Sequence, residues 1–456
     1  MSTRFTGVLA VKSMRCVGQE GAYRPSRFAA AGSLALASLA LLAFGGASAR
    51  ANDDDGWFRF GSAQATSPGA RSDYAEPGAR QSDAALAKQW EANPPKGFPT
   101  LSKENIGPMK AAVKRYTDIV ALGGWRMLPV VELRVDSQHE IVPVLRQRLA
   151  IEGDLRAEGG SSTYFDQYVE RALKRFQVRQ GLTPNGQLNK QTIAALNVPA
   201  AARLRQLKAN LERLTSLAAS TPRRYIVVNI PAAQIEAVEG DRVVSRHSGV
   251  VGKIDRQTPV LKSAVYELNF NPVWHLPPTV IEKDLIPKGQ EMSRSGKSVL
   301  VKYGIDVYDG SGRKMDPNAV NWGSPGTRNL TFKQNPGQEN PMGFVKINFA
   351  NAHSVYMHDT PSQTLFGRNF RAASSGCVRV QDIQTLAAWI LSENGDWTRD
   401  RVAGMQRSGE RLDAKVKKPV PLYFAYITSW ATEDGMVHFR RDLYQRDGVG
   451  LTASAY

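Results

Sequence analysis

Ser374-Ser375-Gly376-Cys377-Val378-Arg379, with fifteen residues between His358 and Ser374, is the stretch on which the reading of this chain turns. Cys377 is one of two cysteines; the other, Cys16, precedes an apolar run from Phe28 to Phe44 that follows Arg24 and Arg27 and closes on Ala47-Ser48-Ala49-Arg50-Ala51. That pattern predicts an export signal over 1–51, and Cys16 leaves with it. An uncleaved membrane anchor is the alternative, because a spanning helix needs about 17 to 25 residues. An exported chain with one thiol forms no internal disulfide, so Cys377 is an intermolecular bridge, an inert buried thiol or a reactive nucleophile.

A thiol attacks a carbonyl only as a thiolate, so a nucleophilic cysteine needs a base or a positive charge, donors for the developing oxyanion, and an open approach. His358 ends the strand-like run Val355-Tyr356-Met357-His358 and is the base candidate, against the alternatives of a surface or core histidine. Gly376 permits a positive φ, so that the amides of Gly376 and Cys377 can point at one oxygen. Arg379 falls on the face of Cys377 if the segment is extended, to favour the thiolate or hold a substrate carboxylate, unless it makes a structural ion pair. Ser374 and Ser375 are turn formers or hydroxyls that orient substrate, and Tyr356 lines the cleft or simply packs. The six histidines, His139, His247, His275, His353, His358 and His438, include no metal-ligand spacing, so no metal or other cofactor is expected.

Upstream, residues 52–98 are rich in Asp, Ser, Ala, Gly and Pro without apolar periodicity and read as a flexible linker. Residues 99–139 form a helical scaffold whose first helix stops at Gly123-Gly124. Within 140–198 three short helices are expected: one around Val144, Leu145 and Leu149, one opened by a capping box at Thr163-Tyr-Phe-Asp166 with Phe165, Tyr168, Val169, Ala172 and Phe176 on one face, and one capped by Asn189. A helical connector occupies 199–220. Strands follow at 224–230, 234–238, 243–251, 265–271, 344–349, 355–358, 422–428 and 436–439. Between Pro277 and Pro341 the β pattern lapses into an insertion expected to cover part of the cleft as a lid.

The formal charge is +17, and residues 1–51 carry six Lys or Arg against one Glu, so the remainder keeps +12. The partner is then polyanionic, unless the basic surface is merely solvated. Nucleic acid is not expected, because the chain has no run of five basic residues and is exported; an anionic envelope polymer fits the compartment.

Two resemblances sharpen this. Ala172-Leu-Lys-Arg-Phe176-Gln177, Gly181-Leu182, Asn185-Gly186 and Thr192-x-x-x-Leu196-Asn197 are similar to the small three-helix peptidoglycan-binding domain. His358 followed by Ser374-Ser375-Gly376-Cys377, with Asn271-Pro272-x-Trp274, Pro277-Pro278, His358-Asp-Thr-Pro361 and Arg441-Asp-Leu-Tyr444, resembles the L,D-transpeptidase catalytic domain of the large periplasmic type. In many such proteins a second histidine stands where this chain has Ser375.

The resemblance implies an α+β multidomain protein: a mainly β L,D-transpeptidase catalytic domain over 221–447 with a lid-like insertion over 277–341, a three-helix peptidoglycan-binding domain, the helical scaffold, and a tail over 448–456. It implies a periplasmic enzyme with peptidoglycan stem peptides and glycan as partners, and candidate contacts with peptidoglycan polymerases or carboxypeptidases. Any membrane contact is through the amino terminus. Cys377 is the implied nucleophile, His358 the base, and Gly376, Ser375, Ser374, Arg379 and Tyr356 the oxyanion and substrate-binding set. The reaction implied is 3→3 crosslinking of tetrapeptide stems through a thioester with loss of D-Ala. Resolution by water, transfer to a protein lysine, and a non-catalytic wall-binding role are the alternatives.

Overall fold

A computed structural model describes residues 99–156 and 161–448; the expected export signal and linker, and the tail beyond residue 448, lie outside the described residues. The α+β organisation is the one observed. Among the described residues no helix is long and apolar enough to cross a membrane.

Helix α1 (Ile106–Ala121) buries Met109, Ala112 and Tyr116 and gives way at Leu122 to Gly123 and Gly124, both at positive φ. Three helices share the next core: α2 (Val142–Ile151), α3 (Gln167–Arg179) and α4 (Lys190–Leu196), packed around Leu145, Leu149, Phe165, Phe176 and Leu196. Asn189 caps α4 by accepting from the Thr192 amide. The cap of α3 differs from expectation: Asp166, not Thr163, accepts from the Tyr168 and Val169 amides. A carboxylate directly before the first turn satisfies two orphan donors and favours the helix dipole, and Arg146 pairs with it. The shift turns Tyr168 out to solvent at 66% exposure.

Helix α5 (Ala200–Ala218) lies between α1 and the sheet, where Leu207 and Leu214 meet Tyr225, Val227 and Tyr423. The sheet comprises β1 (Arg224–Asn229), β2 (Gln234–Glu239), β3 (Arg242–Gly252), β4 (Leu261–Phe270), β8 (Val345–Phe349), β9 (Met357–His358), β10 (Ala372–Ser374), β11 (Val378–Val380) and β12 (Leu412–Ala425). Its order is β10-β3-β11-β9-β8-β4-β12-β1-β2, and β2 pairs back onto β3, so the row closes on itself. Ile226, Val228, Leu268, Ile347, Met357 and Val378 fill one core, against which α8 (Ile383–Ile390) and α9 (Arg399–Ser408) pack. Strand β12 begins ten residues earlier than its apolar pattern suggests. Lys415 and Lys417 alternate outward with Ala414 and Val416 buried, and the register breaks near Pro419.

The insertion is a folded body rather than a lapse. Between the short strand β5 (Trp274–His275) and Met342, the chain forms β6 (Ile305–Tyr308), β7 (Thr331–Gln334), α6 (Ile286–Ser293) and α7 (Val299–Lys302) around Leu285, Val299, Leu300, Val307 and Phe332. Gly289 lies under the Trp322 ring, so close that a Cβ would come 2.2 Å from it. Short elements joined by Gly and Pro turns hide this core from periodicity, because its longest helix runs only eight residues and its strands four or fewer.

Candidate active site

Strand register places the candidate residues before any side-chain contact is considered. Strands β9 and β11 run parallel with Arg379 opposite His358, and β8 runs antiparallel to β9 with Lys346 opposite His358. Side chains two residues apart share a face. Cys377, Arg379, Tyr356, His358 and Lys346 therefore lie on one face of three adjacent strands, while Val378, Met357 and Ile347 fill the opposite, apolar side.

Cys377 is only partly buried by surface, yet protein surrounds its sulfur. Burial pushes the thiol up to about 11, against the opposing pull of the Tyr356 amide and hydroxyl and of the Lys346 and Arg379 charges. In this arrangement the sulfur is held as a thiol, poised among groups that each favour the thiolate.

Burial depresses His358 to about 3, helped by Arg379 and Lys346, so the ring is neutral. Its Nδ1 lies 2.5 Å from the Asp359 carbonyl; a carbonyl only accepts, so Nδ1 carries the proton and Nε2 holds the lone pair a base needs. The Pro341 carbonyl, where the insertion rejoins the sheet, also faces the ring. Cys377 and His358 thus share a face, with the thiol engaged by Tyr356 and the imidazole by two carbonyls.

Tyr356 joins three parts of the site. Its hydroxyl accepts from Trp274 Nε1 at 3.0 Å and bonds the Cys377 sulfur, and Lys346 Nζ lies 4.6 Å from its ring centre. It packs against both the barrel core and the insertion core. Arg379 is buried and its Nε has no partner; among the described residues no carboxylate pairs with it. Burial lowers it to about 10, while Cys377 opposes the fall.

The turn before the nucleophile is stapled internally. Gly376 sits at φ +115°, which only glycine adopts readily. Ser374 Oγ donates to the Cys377 carbonyl and accepts from the Gly376 amide at 3.1 Å. Of the two amides expected to receive an oxyanion, that of Gly376 is therefore already spent on the turn, which a serine two residues back commonly arranges. Ser374 is a turn former here. Ser375 Oγ accepts from Arg256 Nη1 at 2.8 Å, and the same guanidinium holds Asp284 of the insertion.

Sequence reasoning did not single out Lys346, Arg256, Asp284 or Thr258. Thr258 Oγ1 donates to the Gly376 carbonyl at 2.9 Å, and Tyr444 braces its loop by donating to the Gly252 carbonyl and accepting from the Thr258 amide. Tyr426 in turn donates to Asp442, which gives the closing Arg441-Asp-Leu-Tyr444 stretch a structural reason. Lys346 was readable in principle, as the one charge in the strand Val345–Phe349, but the partner strand was not.

A closed sheet carries a thiol and an imidazole on one face, with a folded insertion packed against it through Tyr356 and a three-helix unit as a separate core. Residues 223–420 match the L,D-transpeptidase catalytic domain of the YkuD type, and residues 138–196 match the family described as "Putative peptidoglycan binding domain". These stretches of the chain are thus similar to an L,D-transpeptidase catalytic domain and to a peptidoglycan-binding domain.

A protein of Haemophilus influenzae named "Putative L,D-transpeptidase" is 30% identical over 222 residues, which cover 49% of this chain and 44% of that protein. The match thus spans less than half of that relative's length. Among solved structures, an L,D-transpeptidase fragment from Xylanimonas cellulosilytica is 15% identical, covering 66% of this chain and 100% of that one, with a TM-score of 0.23. One from Stackebrandtia nassauensis is 12% identical over 65% of this chain and 97% of that one, with a TM-score of 0.25.

Proposed function

We propose that this chain is a cysteine-dependent L,D-transpeptidase that forms 3→3 crosslinks between peptidoglycan tetrapeptide stems in the periplasm. The observation that carries the reading is the single face on which Cys377, His358, Tyr356, Arg379 and Lys346 stand together. The two domain matches supply the substrate class.

In the first step the Cys377 thiol passes its proton to Nε2 of His358 and attacks the carbonyl between the third stem residue and D-Ala. The C–N bond breaks, the amine leaves with that proton, and a thioester remains. The side-chain amine of a neighbouring stem then attacks the thioester: its new C–N bond forms as the C–S bond breaks, and the proton it loses passes through Nε2 of His358 to the Cys377 sulfur. Arg379 and Lys346 stabilise the thiolate and accept the carboxylate of the donor stem, while the Cys377 amide faces the oxyanion.

Intact mass after carbapenem exposure tests the nucleophile: one adduct on the native chain and none on Cys377→Ala is expected, and an adduct persisting in the variant overturns the assignment. Incubation with tetrapeptide-bearing muropeptides tests the acceptor. Crosslinked dimers support transpeptidation, tripeptide alone makes the chain an L,D-carboxypeptidase, and capture of a protein lysine makes it an attachment enzyme.

A further inference from the structure

The polar face that carries Cys377 does not end at Lys346. Asn269 of β4 stands opposite Lys346, and Asp413 of β12 stands opposite Asn269. The pairing of Lys346 with His358 sets Asn348 level with Tyr356, and Glu267 of β4 stands opposite Asn348. One row therefore runs Cys377, Tyr356, Asn348, Glu267 across β11, β9, β8 and β4, about 14 Å from end to end by strand spacing.

Lys346 and Glu267 are opposite charges on neighbouring strands, both half-buried, and neither is paired. Among the described residues Glu267 forms no ion pair with Lys346, nor with Lys415, which faces it from β12. Each charge is held elsewhere. Lys346 Nζ lies 4.6 Å from the centre of the Tyr356 ring and makes no hydrogen bond among the described residues. Glu267 Oε1 accepts from Asn269 Nδ2 at 3.0 Å and from Asn348 Nδ2 at 3.3 Å, which leaves Oε2 open. Asn269 is fixed in turn by Asp413 Oδ1 at 2.7 Å. The two side-chain amides hold the carboxylate back from the ammonium, so a gap remains with its cation toward Cys377 and its anion beyond. Burial lowers Lys346 from its ordinary value against the pull of Cys377, Glu267 and Asp413, and a carboxylate brought to it would offset that cost.

A ligand that satisfies both sides of the gap presents a carboxylate and an ammonium together, which is the free end of an α-amino acid. A sugar hydroxyl, a phosphate or a simple lysine side chain supplies at most one of the two charges. The third residue of the stem, a diamino acid, has such an end when the distal carbon of its side chain bears both an amine and a carboxyl group. We propose that Lys346 and Glu267 together read the distal amino-acid end of that side chain in the donor stem, and so set which stems the enzyme accepts. The substrate class rests on the function proposed above. With the scissile carbonyl at Cys377, the side chain runs along the row over Tyr356, and its extended length is met by the reach of Lys346 and Glu267. Arg379, on the other side of His358, is left for the terminal carboxylate of D-Ala.

The test is single-turnover release of D-Ala by the full chain from three tetrapeptide donors: one with the distal end free, one with its distal carboxyl converted to the carboxamide, and one with its distal amine acetylated. The native chain should release D-Ala from each modified donor about tenfold more slowly than from the free one. Glu267→Gln keeps an oxygen for the two asparagine amides and loses the charge. It should abolish the difference between free and acetylated donors and keep the difference between free acid and carboxamide. Lys346→Met slows every donor through the sulfur, yet should abolish only the carboxamide difference. A native chain indifferent to either modification overturns the proposal, and so does discrimination that survives in the matching variant. Should Glu267→Gln fail to fold, the three donors on the native chain and on Lys346→Met decide on the same terms. Release that ignores both modifications overturns this proposal alone, whereas no release from any donor overturns the transpeptidase reading and this one with it.

Discussion

Lys346 of β8 stands opposite His358 of β9, on the face that carries Cys377. Two consequences follow from one ammonium: it helps keep His358 neutral, and it lowers the cost of a thiolate on Cys377. Replacing it with Met keeps the stem length over the Tyr356 ring and removes the charge. Lys346→Met should slow alkylation of Cys377 by iodoacetamide at pH 8 by roughly three- to tenfold, whereas Lys346→Arg stays near the native rate. Equal rates in all three would show that the ammonium does not act on the sulfur.

Because burial holds the free thiol at about 11, the alkylation rate of the unliganded chain should climb about tenfold per pH unit from 7 to 9 without a plateau. A plateau near pH 7 would mean that the sulfur is already ionised, and that the cleft opens further in solution than the closed arrangement described above.

How far this site was legible follows from where its information lies. His358, Cys377 and Gly376 announce themselves by residue type and spacing, because thiol chemistry and a positive φ leave few substitutes. Lys346, Arg256 and Asp284 do not, since each matters only through strands or loops that meet across 12 to 119 residues of sequence. The same limit explains the fold: local alternation showed β1 to β3, while α8, α9 and the insertion core depended on packing between elements that no local period records.

Asp359 links the catalytic histidine to the end of the insertion: its carbonyl holds the His358 ring and its carboxyl accepts from the Phe344 amide at 3.1 Å, over Gly343. Burial raises that carboxyl to about 6 from an ordinary 3.8, against the Phe344 and Thr360 amides. The folded form therefore holds the proton more tightly than the unfolded form. The resulting stability is fully present below about pH 4 and is lost as pH rises through 6, in total about 2–3 kcal/mol. Asp359→Asn imitates the protonated acid, so its stability relative to native should rise over that window and then level off. A difference between the two chains that stays flat from pH 4 to 7 in thermal unfolding would contradict this.

The three-helix unit is tied to the rest by buried charge. Glu152 accepts from Arg148 and Arg179, Arg179 also pairs with Asp154, and Arg179 reaches the Val437 carbonyl. Burial alone would raise Glu152, but Arg148 and Arg179 pull it well below the usual range. Arg179→Met strands Asp154 in the interior and leaves Glu152 to Arg148 alone, and should cost about 3–5 kcal/mol by denaturant unfolding, with carbapenem acylation of Cys377 retained under native conditions. A loss below 1 kcal/mol would show that water reaches the cluster.

A sheltered ion pair holds the insertion against the nucleophile's turn. Arg256 grips Asp284 through two nitrogens, Nη1 to Oδ2 at 2.7 Å and Nη2 to Oδ1 at 3.2 Å, and Nη1 also reaches Ser375 Oγ. The pair is mostly sheltered, at 12% and 17% side-chain exposure, so it should be worth more than a surface ion pair. Arg256→Gln leaves Asp284 without its cation, Asp284→Asn leaves Arg256 with only the exposed Asp255 at 3.7 Å, and the double variant removes both members of the sheltered pair. Each single change should therefore speed amide exchange over residues 278–293, and the double change should do so by less than the sum, with a coupling of about 1–3 kcal/mol. Ser375→Ala removes only the weaker third contact and should leave that exchange nearly native. Strict additivity of the single variants would mean that the insertion is held by its core contacts through Trp274 and Tyr356 instead of by this ion pair.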